Sequence, residues 1–280
     1  MILRAYRAVE RAREGNARVA LTPLWYRRAA MDTTQIVALA ALFFVVAAMY
    51  TTVGHAGASG YLAIMALLAV DPPIMRPTAL LLNILVASIT VYRFRRARFF
   101  SWSGLWPFLA GSVPFAAIGG MQSLSRSGYY AAVGMVLLLS ALYLAWRAFA
   151  SPSRLEEGVV RVRPLPAVFF GAVIGFISGL TGTGGGIFLS PTLLFLNWAG
   201  PKTTAGISAP FILVNSAAAL TASSVTVAAI PAEMPILALP ALLGAFLGTW
   251  LGIQRLQQKA LLLVLAGVMS LAALKLLFTA

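Results

Sequence analysis

Two stretches of this sequence could do chemistry with the backbone rather than with side chains. Gly54-His55-Ala56-Gly57-Ala58-Ser59-Gly60 and Thr181-Gly182-Thr183-Gly184-Gly185-Gly186 each interrupt an apolar run and precede a short apolar segment. Each glycine costs a helix about 1 kcal/mol against alanine, so both stretches are expected to break a helix. A break leaves N–H groups unpaired at the start of the helix that follows. Together with the positive end of the helix dipole, those groups form an anion site. Small residues also let helices pack closely, and for a single glycine that is the ordinary reading. Two clustered breaks at matching places favour the site.

Polar side chains add to this picture. Asn83 and Thr90 are seven residues apart, as are Ser208 and Asn215, so each pair shares one helix face. Such pairs either line a pathway or join helices by hydrogen bonds worth about 0.6 kcal/mol. His55, the only histidine, either donates to an anion, takes a proton near neutral pH, or serves as an ordinary hydrogen-bonding residue. The candidate substrate-binding set is therefore His55, Gly57, Ser59, Gly60, Asn83, Gly182, Thr183, Gly184, Gly185, Gly186, Ser208 and Asn215. Arg76 and Lys202 read as helix-end anchors that snorkel to the interface.

Other chemistries lack their residues. The seven acids are Glu10, Glu14, Asp32, Asp71, Glu156, Glu157 and Glu233, and none lies midway along an apolar segment. A buried carboxylate to partner a membrane cation is therefore missing, and a two-carboxylate hydrolase is unsupported. One histidine cannot assemble a histidine-cluster metal site, and the absence of cysteine removes disulfides and thiolate ligands. No cofactor and no metal are expected.

The elements that must position these residues are membrane helices. The chain has 280 residues, 60% hydrophobic and 10% charged, with a mean hydropathy of +0.89. Soluble domains carry about 25% charged residues. The excess of 21 Lys+Arg over 7 Asp+Glu lies between apolar segments, as in cytoplasmic loops, and not as in a nucleic-acid partner. A span needs about 20 apolar residues. Gln35–Val53, Thr78–Val91, Leu105–Ile118, Tyr129–Trp146, Leu165–Gly179, Thr203–Ala222, Met234–Leu251 and Ala260–Leu274 read as long segments, and Tyr61–Val70 and Ile187–Leu196 as short ones. Trp102, Trp106, Trp146 and Trp198 lie near segment ends and read as interfacial aromatics.

The order repeats: helix, glycine break, short helix, proline-plus-cation turn, polar-striped helix. It predicts an all-α polytopic membrane protein of two duplicated halves, about four spans each, each with a glycine-interrupted helix. Such halves are typical of secondary transporters. The register used sets Gly57 opposite Gly182, Gly60 opposite Gly185, and Asn83 opposite Ser208. The expected domains are a basic extension over 1–34, a first repeat over 35–149, a polar linker over 150–164 and a second repeat over 165–280. Residues 1–30, with seven arginines, read either as an interfacial helix or as a segment upstream of a start at Met31; no secretory signal is evident. Positive charge at 1–30, 93–98 and 147–163 predicts that all three are cytoplasmic. That requires an even number of crossings before Arg93, with Tyr61–Val70 re-entrant or part of a span.

Gly182–Gly186 followed by Pro191, Pro201-Lys202-Thr203 and Ser208 resembles the second-half signature of the TauE/SafE sulfite exporter family. Gly54–Gly60 with Pro72-Pro73, Thr78, Asn83 and the Arg93–Arg98 loop resembles its first-half signature. The likeness covers residues 35–280. It implies an anion transporter for sulfite, sulfonates and related sulfur compounds, with about eight spans from a duplicated four-span unit. His55, Ala58 and Ser59 depart from a stretch that is usually richer in glycine. The leading expectation is thus a multi-pass cell-membrane transporter of a small sulfur oxyanion working by alternating access, its partners being that anion and the bilayer. A membrane enzyme on a lipid-linked substrate and a non-transporting assembly subunit are the alternatives. The oligomeric state is open.

Overall fold

The computed structural model describes residues 33–149, 158–222, 227, 230–254 and 259–280, and Thr34–Ala280 form one compact unit. The basic extension therefore lies almost wholly outside the described residues, as do linker residues 150–157. Ten helices are described: α1 Thr33–Thr51, α2 Ala58–Leu67, α3 Pro72–Arg96, α4 Trp102–Met121, α5 Arg126–Phe149, α6 Pro164–Thr181, α7 Gly186–Phe195, α8 Pro201–Thr221, α9 Met234–Gln254 and α10 Lys259–Thr279. Eight are long and apolar enough to cross a membrane; α2 and α7 have ten residues each and are not. The all-α reading, the eight spans and the two broken helices expected from the sequence are found.

Side-chain contacts give the direction of each helix. Gln35 Nε2 donates to Leu68 O at 3.3 Å, so α2 turns back to the face where α1 began, here the near face. Arg76, early in α3, donates to the carbonyls of Gly119, Gly120 and Gln122, and Asp71 pairs with Arg126 at 2.9 Å. The start of α3, the end of α4 and the start of α5 thus share the near face. Helix α6 runs parallel to α4, its Val168 beside Gly111 and its Phe176 beside Gly119, and ends where Tyr129 Oη donates to Thr181 O. Helix α7 returns to the far face, where Phe195 meets Trp146.

The second half therefore begins on the face opposite to the first and repeats its helix order in the opposite sense. Three-glycine stripes hold the exchanged partners together. Gly171, Gly175 and Gly179 of α6 lie on the α4 carbonyls of Phe108, Ser112 and Ala116, while Gly244, Gly248 and Gly252 of α9 lie on the carbonyls of Phe44 and Ala48 in α1 and of Thr52 just past its end. Without side chains at these positions the backbones approach closely, which supplies dispersion contact where lipid offers no hydrophobic drive.

Two expectations need correction. The first helix starts on the near face, whereas Arg93 at the end of α3 is on the far face. The run from α1 to Arg93 thus takes three passes: a crossing, the return of α2 and a second crossing. The even number inferred from charge, with Tyr61–Val70 re-entrant or part of a span, is not found, because the ten-residue α2 ends back at the face where the full-length α1 began. The repeat register also differs. The glycines with positive φ are Gly54 and Gly57 in the first break and Gly182, Gly184 and Gly185 in the second. Gly57 precedes α2 and Gly185 precedes α7, so Gly57 corresponds to Gly185 and Gly54 to Gly182. That is three residues from the register read off the sequence, and it removes the pairing of Asn83 with Ser208.

Candidate anion site at the two breaks

Ten helical residues rise about 15 Å, half of a hydrocarbon core about 30 Å thick. Helix α2 ends at the near face and α7 at the far face, so their first residues meet near mid-depth. Two side chains reach across the repeat boundary here, His55 to α7 and Asn83 to α8. His55, in the first break, places Nε2 3.1 Å from Gly186 O and 2.7 Å from Ser190 Oγ of α7. Ser190 Oγ is 2.9 Å from Ser208 Oγ of α8. Asn83 Oδ1 accepts from Ala58 N, the first residue of α2, at 3.1 Å, and its Nδ2 donates to Ser216 Oγ at 3.1 Å. The same Nδ2 fills the place a side chain at Gly184 would take.

A cavity of about 250 Å³ leads from the far face to this junction. Thr52, His55, Ser190 and Thr204 give it polar walls, Phe94, Leu144 and Leu194 apolar ones, and Arg147 and Lys202 line it at the far end. His55 Nδ1 is buried without a hydrogen-bond partner. With Nε2 as the protonated nitrogen, donating to Gly186 O or Ser190 Oγ, Nδ1 is left as the acceptor. Asp71 and Glu233, the two acids among the described residues, are both at the near face, away from this junction.

The remaining candidates divide. Gly185 and Gly186 pack against Phe211 and Ile212 of α8 as the second break turns into α7. Gly57 holds the left-handed turn into α2 beside the Tyr61 ring. Gly182 caps α6 beside Arg76, and Thr183 Oγ1 is 3.1 Å from Thr181 Oγ1; both stand on the near side of the second break. Ser59 Oγ is 2.9 Å from Tyr50 Oη, and Gly60 packs on Val46 and Tyr50, so the structure places these two against α1. Asn215 is fully buried; its Nδ2 donates to Phe211 O and its Oδ1 has no partner. Thr52, Ser190, Thr204 and Arg147 escaped the sequence reading. Ser190 had a signal: it lies one helical turn beyond Gly186 and therefore on its face.

Eight apolar spans, two broken helices joined by a buried polar junction and a cavity beside it define a polytopic membrane protein. The family model for the sulfite exporter TauE/SafE matches residues 38–276. A relative from Sinorhizobium fredii (strain NBRC 101917 / NGR234), described as a probable membrane transporter protein y4hK, is 38% identical over 249 residues, covering 89% of this chain and all of that protein. The chain belongs to the TauE/SafE sulfite exporter family. No solved structure matches it.

Proposed function

We propose that this chain carries a small sulfur oxyanion, of the sulfite or sulfonate kind, through the membrane by alternating access, holding it between the two broken helices. The observation that carries the proposal is the meeting of the two breaks at mid-depth, joined by His55 to α7, with Asn83 tying α2 to α8, and reached by a cavity lined with Arg147 and Lys202. Backbone N–H groups of the breaks and the hydroxyls of Ser190, Ser208 and Thr204 supply donors to the anion. The dipoles of two half-length helices, pointing at it from opposite faces, supply positive potential without a mobile cation. Gly57, Gly182, Gly184, Gly185 and Gly186 shape the two loops, and Thr183 and Asn215 flank the second. Ser59 and Gly60 fix α2 against α1 so that its first turn stays aimed at the junction. The family description supports sulfite as the substrate to test first.

The cavity opens at the far face, while the near face is closed by Arg76 on the end of α4, by the Asp71–Arg126 pair and by Lys275 Nζ on Leu67 O. Release of these ties would open the near face as the halves rock. The far face carries Arg93, Arg95, Arg96, Arg98, Arg147, Arg161, Arg163 and Lys202, and is cytoplasmic by the positive-inside rule. A single cysteine at Ser101, in this cysteine-free chain, should react with an impermeant thiol reagent only from the cytoplasmic side; reaction from outside reverses the assignment. The experiment for the site is His55→Phe, which removes the links to Gly186 and Ser190 and fills the cavity. Sulfite efflux from cells should fall at least about tenfold, the loss of one good interaction of about 1.4 kcal/mol, with the membrane level of the protein unchanged. Unaltered efflux would remove His55 from the pathway.

A further inference from the structure

A second basic recess lies at the far face, on the outer side of the segment that leads into α6. Val160 and Val162 turn inward and pack on the cluster of Leu105, Phe108 and Trp198. Residues alternate along extended backbone, so Arg161 and Arg163 turn outward, and both are exposed. The segment is held in place: Arg161 N donates to Trp198 O at 2.8 Å, Val160 bridges Ala199, and Gly158 N donates to Thr203 Oγ1 at 2.9 Å. A groove of about 530 Å³ runs between it and the α7–α8 turn, lined by Arg161, Arg163, Pro166, Phe170, Leu196 and Trp198.

We propose that this groove binds the headgroup of an anionic phospholipid of the far leaflet. Arg163 immediately precedes the α6 span, which places the two guanidinium groups at headgroup depth. The next turn exposes Leu165 (84%) and Phe169 (66%), and across the groove Phe195 (57%) is also exposed, so acyl chains have apolar surface directly below the charges. Paired guanidinium groups match a phosphodiester, to which each can donate two hydrogen bonds. Basic pockets between membrane helices on the cytoplasmic side are sites for such headgroups. Among the described residues both carboxylates are at the opposite face. The groove lies beyond the Arg147–Lys202 cavity and shares none of its lining, so the proposal does not depend on the transported anion.

The test is native mass spectrometry of the purified full chain with phosphatidylglycerol and phosphatidylcholine. The wild-type chain should retain phosphatidylglycerol in preference, and the double variant Arg161→Gln/Arg163→Gln should retain about tenfold less of it, whereas Arg126→Gln on the near face should retain it fully. Excess inorganic phosphate should leave the lipid bound. No preference for phosphatidylglycerol, equal retention by the double variant, or displacement by phosphate would each overturn the proposal. Should the double variant not fold, a photoactivatable phosphatidylglycerol applied to wild-type protein should crosslink within residues 161–170 or 195–198; crosslinks only elsewhere would overturn it.

Discussion

Gly184→Leu protein in liposomes should move no more sulfite than protein-free vesicles. Gly184 has φ near +74°, where a side chain costs of order 1–3 kcal/mol. Its β-carbon would overlap Asn83 Nδ2 and come within 2.9 Å of Ile212 Cγ2 and 3.0 Å of Ser216 Oγ. The leucine must therefore displace Asn83, the residue that ties the first turn of α2 to α8, and occupy the gap between the breaks. The spans are held elsewhere, by the glycine stripes of α6 and α9, so the protein should still insert and purify as a folded species. Flux equal to wild type would show that the second break is not part of the path.

Asn83→Leu should lower transport by at least about tenfold, for a different reason. The substitution keeps the branched shape and the number of side-chain heavy atoms and removes both hydrogen bonds. Ala58 N–H then loses its acceptor and Ser216 Oγ its donor, at a cost of about 1–3 kcal/mol for each buried group left unsatisfied. The affected donor belongs to the start of α2, so the loss falls on the arm proposed to hold the anion. Transport per folded molecule separates this from simple destabilisation. A purely structural Asn83 would lower the melting temperature while leaving flux per folded molecule unchanged; a part in the site lowers the flux itself.

Much of this architecture was legible in the chain because its signals are local. Glycine clusters mark breaks wherever they occur in an apolar run, and the lengths of Tyr61–Val70 and Ile187–Leu196 already separated two half-length arms from eight spans. The near-repeat of order was legible too, but not its register. Identities between the halves are few, and the residues that fix the register are those with positive φ, Gly57 and Gly185, which composition does not distinguish from Gly60 or Gly182. Charge misplaced the start of α1 because a re-entrant Tyr61–Val70 is expected to leave an even count, whereas the end of α2 lies back beside the start of α1. Ser59 sits beside a glycine of the break, yet the Tyr50 hydroxyl, nine residues earlier, draws it to α1. Arg147 reads as linker charge until the last turn of α5 is seen to border the cavity. Ser190 lies in an apolar run, and only the return of α7 past His55 gives it a partner.

The central claim is that this chain by itself moves an oxyanion between two crossed half-helices. The purified protein, reconstituted alone in liposomes loaded with labelled sulfite, tests it most directly. Sulfite should leave down its gradient faster than from empty vesicles, and neither His55→Phe nor Gly184→Leu protein should match that rate. Wild-type vesicles that release sulfite no faster than empty ones, although the protein is folded and inserted, would contradict it.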